Sequence, residues 1–154
     1  MNIFVLDYDL TKCAEYHCDK HLIKMILESS QMLSTACRLN GLDAGYKSTH
    51  KNHPCSIWVR ESLDNWLWLR DLVFALNREY KYRYETERDH KSFSVVKSLP
   101  LPNIPKLGLT PFRLAMPDEY KTDDAVSAYR EYYNKDKRHL FSWKKRSIPF
   151  WIKV

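Results

Sequence analysis

The chain of 154 residues is long enough to bury a hydrophobic core as a single domain without disulfides or a structural metal. It has no run of about eighteen apolar residues, which excludes a transmembrane helix, and no basic leader with a small-residue cleavage site, so we expect no export. A net charge of +6 and 14 % aromatic residues favour an anionic partner with flat faces, such as nucleic acid or a nucleotide.

The first predicted elements are a short extended segment and a long helix. Residues 2–6 form an apolar run (NIFVL) that suits a strand or an extended lead-in. Thr11 is a suitable N-cap for a helix that reaches Arg38 and ends at Asn40-Gly41. Within this helix the polar side chains fall on one narrow stripe, and most of the remaining circumference is apolar. The stripe consists of His17, His21, Lys24, Glu28, Gln31, Thr35 and Arg38.

This stripe is the main candidate for a functional site. A helix that is apolar on most sides is normally buried, so its polar stripe either borders a cleft or is a solvated edge of a core helix. Solvated edges favour Lys, Glu and Arg, whereas this stripe begins with two histidines. His17 and His21 are four residues apart on the helix, so both rings can contact the same ligand. We therefore treat the stripe as a hypothetical site and the solvated edge as its alternative.

The rest of the chain predicts further helices and one irregular crossing. A loop over residues 41–52 leads to Pro54, which suits the first turn of a second long helix reaching about Tyr84. Residues 91–97 form a shorter helical or extended piece, and the four prolines of residues 99–112 predict an ordered crossing loop. Thr122 or Asp123 caps a last helix through about Arg138. We expect a mostly α fold, with residues 1–154 forming one compact helical domain around two long core helices.

A cluster of basic side chains precedes the second long helix. The N-terminus of a helix attracts anions through its free amides and its dipole. Lys51 and His53 lie at this position and Arg60 follows in the helix, so we predict that these three bind phosphate. His50 would line the same site. The alternative is an ordinary capped loop, with Arg60 in a surface pair with Asp64 that contributes little.

Two further basic segments are candidates for contact with an anionic polymer. In the tail, Trp143, Lys144 and Arg146 combine a flat apolar face with positive charge, which predicts a nucleic-acid platform. The alternative is that these aromatic residues dock the tail on the core. Lys91 forms a basic cluster with Arg88 and His90 and is a candidate lining residue of the site. The alternative, which we favour for this cluster, is a mobile group of solvated side chains.

The sequence carries no strong motif for a metal or a cofactor. Cys13, His17 and His21 follow helical spacing, but two ligands at this spacing supply only part of a tetrahedral shell, and no CxxC or HExxH motif is present. The cysteines are typical of reduced packing residues in a cytosolic protein. No Walker loop, GxGxxG or GxSxG motif occurs. We therefore expect no metal and no cofactor.

Several long blocks of the sequence resemble a group of small, uncharacterised proteins of tailed bacteriophages. These blocks are MNIFVLD, HCDKHLIKMILESSQML, THKNHPCSIWVRES and LTPFRLAMPDEYKTDD, and together they cover most of the chain. The resemblance implies expression in the cytoplasm of an infected bacterium. It implies no particular reaction.

A more distant similarity is to the phage pyrimidine-dimer DNA glycosylases, which are also small, basic and mostly helical. In that family a free N-terminal amine attacks the sugar C1′. A glutamate seven residues after a histidine in the first helix stabilises the developing charge. His21 and Glu28 have this spacing here, and His53 and the Trp143-Lys144 tail have rough counterparts in the family.

The sequence also departs from the glycosylase pattern. Catalysis in that family requires removal of the initiator methionine, whereas Asn2 normally protects Met1 from removal. The family has arginines flanking the catalytic glutamate, and here Leu27 and Gln31 stand nearby.

These features lead to one main hypothesis and two alternatives. The main hypothesis is a phage accessory protein that acts on DNA or its components as a DNA glycosylase/lyase. Glu28 would then be the acid–base group or stabilise the sugar cation, and His21 would bind phosphate or carry protons. Lys24 is an alternative imine-forming amine, since burial among cations would lower its pKa. The alternatives are a nucleotide or nucleotide-sugar hydrolase or transferase, and a non-enzymatic module that binds a nucleotide or a host protein.

Overall fold

Two helices of 21 residues each, α2 and α4, form the centre of the molecule and pack against each other along their apolar faces. The computed structural model describes residues 1–154 and contains no β-strand, which confirms the predicted mostly α fold. The helices are α1 (Leu10–Tyr16), α2 (Asp19–Leu39), α3 (Pro54–Glu61), α4 (Leu63–Arg83), α5 (Lys91–Ser98) and α6 (Ala125–Asp136).

Apolar side chains from both long helices fill the core between them. Leu22, Ile26 and Leu33 of α2 and Leu69 and Leu76 of α4 are fully buried. Helices α3 and α5 pack against the flanks of α2. No helix is both long enough and apolar enough to cross a membrane.

The predicted helix from Thr11 to Arg38 is interrupted, so that expectation was wrong in one respect. Asp9, not Thr11, caps α1, because its carboxylate accepts a hydrogen bond from the amide of Lys12. The chain becomes extended at His17 and Cys18 before α2 begins. The guanidinium of Arg83 satisfies the carbonyl groups freed near this break, donating to the oxygens of Glu15 (2.8 Å) and His17 (2.7 Å).

The second predicted helix, from Pro54 to about Tyr84, is interrupted as well. Ser62 is extended, and its hydroxyl accepts hydrogen bonds from the amides of Asp64 (3.2 Å) and Leu107 (3.1 Å). The amide of Leu63 donates to the carbonyl of Pro105 at 2.9 Å. The proline-rich loop therefore supplies the partners that make a break at Ser62 favourable, because the backbone groups released from the helix are satisfied.

The remaining secondary-structure elements agree closely with those predicted from the sequence. Residues 99–112 form no helix, as predicted, and the piece after residue 90 is helical. Helix α6 is capped by Asp124 rather than by Thr122 or Asp123, since the Asp124 carboxylate accepts from the amide of Ser127. The N-terminal segment Ile3–Leu6 is buried and forms no strand, and the amide of Leu6 donates to the carbonyl of Phe4 at 3.1 Å. It therefore brings the chain terminus into the interior, close to α2.

Candidate functional site

The N-terminal amine and the Glu28 carboxylate meet on the surface of α2. The ammonium nitrogen of Met1 lies 3.3 Å from Glu28 Oε1, and the backbone nitrogen of Asn2 donates to the same oxygen at 3.2 Å. Glu28 is only 7 % exposed. A buried carboxylate is stable when opposite charges and hydrogen bonds compensate for its lost hydration, and here the terminus supplies both.

Lys24 lies over the second oxygen of this carboxylate. Its Nζ is 3.6 Å from Glu28 Oε2, one helical turn away, and its side chain is 63 % exposed. Because Lys24 is solvated, it lacks the burial on which its proposed role as an imine-forming amine depended. It is an exposed cation at the rim of the site.

The side chain of Asn2 anchors the terminus through hydrogen bonds that do not involve Glu28. Its Nδ2 donates to the carbonyl of Ala115 at 2.9 Å, and its Oδ1 accepts from the Tyr129 hydroxyl at 3.0 Å. The Cys55 thiol is 3.6 Å from the same Oδ1. Together with Glu28 of α2, which accepts from the Asn2 nitrogen, four separate parts of the chain contact the second residue.

His53 lies on the same side of the protein as the amine. It caps α3, with its Nδ1 accepting from the amide of Cys55 at 3.1 Å. Burial and the positive charge of the Met1 ammonium lower the pKa of His53. Because Nδ1 accepts this hydrogen bond, it carries no proton in the neutral ring. The proton is therefore on Nε2, which can donate a hydrogen bond.

The other predicted lining residues surround this group less closely. His50 and Lys51 are exposed on the loop before α3, and His50 has a left-handed backbone with its Nδ1 at 2.8 Å from the Thr49 hydroxyl. Gln31 is half-buried on α2, one turn after Glu28.

No hydrogen bond or ion pair joins Arg60 or Lys91 to the amine or to Glu28. Arg60 is at the opposite end of α3 from His53, and its Nη1 donates to the carbonyl of Ser56 at 3.2 Å. Lys91 is exposed at the first residue of α5.

The structure does not bring His17 and His21 to the same surface as Glu28. The His21 ring stacks on Phe4, with centroids 4.4 Å apart, and its Nδ1 is 2.7 Å from the Tyr133 hydroxyl. His17 is fully buried, with its Nδ1 2.6 Å from the carbonyl of Cys13. Burial lowers the pKa of His17 to about 4 and that of His21 to about 3. Neutral, covered rings cannot bind phosphate as cations, so we remove both from the proposed site.

These two histidines make stability sensitive to acid. In the unfolded chain they bind protons near pH 6.5, whereas in the folded protein they remain neutral until much lower pH. Lowering the pH through 6.5 therefore favours unfolding, by about 2 kcal/mol per histidine at pH 5. Urea denaturation at pH 7.5 and at pH 5 measures the difference. Equal free energies of unfolding at the two pH values would contradict this interpretation.

The predicted platform in the tail is tied to the protein interior. Trp143 is 8 % exposed, and its Nε1 donates to the carbonyl of Tyr16 at 2.9 Å, so its ring is not available for stacking on a base. Arg146 pairs with Glu79 at 2.8 Å. Lys144 remains exposed. This part of the tail therefore docks on the core, as in the alternative interpretation.

Sequence reasoning missed the anchors of the N-terminus. From the sequence alone, Asn2 is given a role only through its effect on methionine removal, and Tyr129 is given none. A buried polar residue inside the apolar run of residues 2–6 was the one available signal, since such residues need hydrogen-bond partners.

The cysteines are all free and buried, and burial raises the pKa of Cys13, Cys37 and Cys55 to about 11. No group of three or more His, Cys, Asp or Glu side chains is arranged to hold a metal ion. The polar chemistry of the site therefore rests on the amine, the carboxylate and the imidazole groups.

Comparison with known families gives a match over the part of the chain that contains the amine and Glu28. A family model described as pyrimidine dimer DNA glycosylase matches residues 1–92, which is more than half of the chain. The matched range includes His53 and ends before Tyr129. No curated protein and no solved structure matches the chain significantly.

Proposed function

Because the chain belongs to the pyrimidine dimer DNA glycosylase family, we propose that it cleaves damaged pyrimidines from DNA, with its N-terminal amine as nucleophile. The observation that carries the proposal is the 3.3 Å contact between the Met1 amine and Glu28. A nucleophile next to an acid–base group is the arrangement that covalent catalysis requires. The resemblance to tailed-phage proteins leads us to propose a phage-infected bacterium as its setting.

The reaction needs the amine in its neutral form. Glu28 accepts a proton from the ammonium group, and the freed lone pair attacks C1′ of the damaged nucleotide. The bond from C1′ to the base breaks as the new N–C1′ bond forms, and the base leaves with the electron pair. The new secondary ammonium nitrogen then gives up one proton, which the departing base takes up, and so regains the lone pair needed for the next step. Opening of the C1′–O4′ bond then gives an imine, with the proton from Glu28 delivered to O4′. Loss of a C2′ proton from this imine releases the 3′-phosphate and cuts the strand.

The geometry suits either form of the N-terminus. Asn2 normally protects Met1 from removal, and the Met1 nitrogen is 3.3 Å from Glu28 Oε1. If Met1 were removed, the Asn2 nitrogen would become the terminal amine, and it lies 3.2 Å from the same oxygen. Glu28 is therefore adjacent to the amine in both cases.

The loop before α3 is suited to holding the DNA backbone near this amine. His53 presents Nε2 as a donor, and Lys51 and His50 are exposed beside it. Lys24 adds a cation at the rim. We propose that Lys51 and His53 contact phosphates flanking the damaged nucleotide, with Gln31 lining the site. We propose that Arg60 and Lys91 contact phosphates farther along the duplex.

Damage-dependent cleavage and salt dependence test the proposal together. We expect the protein to nick ultraviolet-irradiated duplex DNA and to leave untreated DNA intact. Duplex binding should weaken steeply with salt, since each neutralised phosphate contributes a slope of about −0.9 in log K against log salt. Lys51→Gln should reduce this slope by about 1, whereas Lys135→Gln, on the outer surface of α6, should leave it unchanged.

The opposite results would favour the other hypotheses. A ligand that binds with little salt dependence would indicate a nucleotide pocket. Thermal stabilisation by a nucleotide without any product would indicate a binding module.

A further inference from the structure

The amine lies on a segment that has no secondary structure of its own. Residues 1–6 make no helix or sheet, so no regular hydrogen-bond ladder fixes the position of the terminus. The Asn2 side chain supplies the missing constraint through Ala115 and Tyr129. Its orientation is unambiguous, because Oδ1 also accepts from the amide of Ile3 at 2.8 Å and the Ala115 carbonyl can only accept.

Tyr129 is the centre of this arrangement. It is fully buried on α6, and burial raises the pKa of its hydroxyl, which therefore stays protonated. Its single hydrogen is shared between two acceptors, Asn2 Oδ1 (3.0 Å) and the nearer carbonyl of Arg113 (2.6 Å), and its oxygen accepts from the amide of Ala115 at 3.3 Å. One side chain thus joins the terminus, the segment after the proline-rich loop and α6. We call Tyr129, Arg113 and Ala115 the clamp, and all three lie beyond the family-matched residues 1–92.

We propose that Tyr129 is a positioning residue for the reaction, because its hydroxyl holds Asn2 and thereby keeps the terminal amine beside Glu28. The proposal rests on the proposed function of the amine. Without the hydroxyl, Asn2 Oδ1 and the Arg113 carbonyl lose the donor that they share, and the amide of Ala115 loses its acceptor. A terminus released on one side samples other orientations, and a displacement of about 1 Å at a reacting group can cost up to 100-fold in rate.

Tyr133 provides a matched control on the same helix. It lies one turn after Tyr129 and is equally buried, but its hydroxyl contacts His21 Nδ1 (2.7 Å) and not the terminus. Tyr129→Phe and Tyr133→Phe each remove one buried hydroxyl and preserve the ring. A role confined to stability predicts similar effects of the two substitutions, whereas a positioning role does not.

The experiment uses duplex DNA with a single abasic site and borohydride to trap the imine. We expect Tyr129→Phe to slow adduct formation at saturating DNA by about 10- to 50-fold while changing the Kd for DNA less than about 2-fold. Tyr133→Phe should change neither quantity by more than about 3-fold. Both variants are compared with the unchanged protein at a temperature well below each Tm.

Asn2→Asp tests the same clamp with Tyr129 intact. Aspartate is as large as asparagine, so it also protects Met1 from removal. A carboxylate oxygen would then face the carbonyl of Ala115, where the asparagine amide donates a hydrogen bond. We expect a similar loss of rate. This variant keeps the proposal testable if Tyr129→Phe does not fold.

The outcomes separate the two proposals. Equal rates for Tyr129→Phe and Tyr133→Phe, or a full rate for Asn2→Asp, would overturn the positioning role and leave the proposed function standing. An unchanged protein that forms no adduct with abasic DNA would instead contradict the proposed function itself.

Discussion

Replacement of Glu28 by glutamine is expected to slow strand cleavage at damaged sites by about 10²- to 10⁴-fold, which is the range for loss of a general acid–base group. Glutamine has nearly the same shape, and its amide oxygen can still accept a hydrogen bond from the Asn2 nitrogen. It cannot take a proton from the ammonium group or balance the charge that develops on the sugar. The rate is measured as single-turnover cleavage of irradiated duplex DNA.

Glu131→Gln is the matched control for this variant. Glu131 is a surface carboxylate of α6 that pairs with Lys135 and Lys153 and has no contact with the terminus. We expect it to leave cleavage unchanged. A Glu28→Gln protein that is folded and cleaves at the full rate would remove Glu28 from the mechanism.

Replacement of Arg83 by methionine is expected to lower the free energy of unfolding by about 3–5 kcal/mol, the usual cost of removing one partner from a buried ion pair. Arg83 is 1 % exposed and pairs with Glu79 (2.7 Å) and Asp19 (3.0 Å). Its guanidinium also satisfies the carbonyls of Glu15 and His17 at the break between α1 and α2. The substitution removes this donor from both carbonyls, and Glu79 keeps only its pair with Arg146.

Urea denaturation at pH 7.5 measures this loss. Arg78→Met removes an exposed arginine from the same helix and is expected to change the free energy of unfolding by less than about 0.5 kcal/mol. A loss at Arg83 as small as that at Arg78 would show that water or neighbouring residues replace the guanidinium.

The helices could be predicted because their signals are local. Apolar residues at helical spacing, Pro54 at a first turn and the Asn40-Gly41 terminator are all read within a few residues. The breaks could not be predicted from such signals, because their causes are distant in sequence. The carbonyl of His17 is satisfied by Arg83, which lies 66 residues away, and the Ser62 hydroxyl accepts from Leu107, 45 residues away.

The polar stripe of α2 shows why the site was predicted only in part. Its residues share one side of the helix, but different parts of the protein pack against that side at different points along the helix. Phe4 and Tyr133 cover His21, whereas the terminus and solvent meet Glu28 and Lys24. Helical spacing places side chains on a face but does not say what packs against it.

The last part of the stripe holds a loop in place. Thr35 accepts from the amide of Thr49 at 3.1 Å, and Arg38 donates to the carbonyls of Gly45 and Tyr46. These contacts organise the loop that leads to the histidines before α3. The stripe is therefore neither a continuous cleft nor a solvated edge.

Borohydride trapping followed by peptide mapping tests the central claim most directly. The protein is incubated with ultraviolet-irradiated duplex DNA, reduced, digested, and the modified residue is identified by mass. We expect a covalent adduct on the N-terminal amine that is absent with untreated DNA and strongly reduced in Glu28→Gln. An adduct on Lys24, or the absence of any adduct and any cleavage, would contradict the assignment of the terminal amine as the nucleophile.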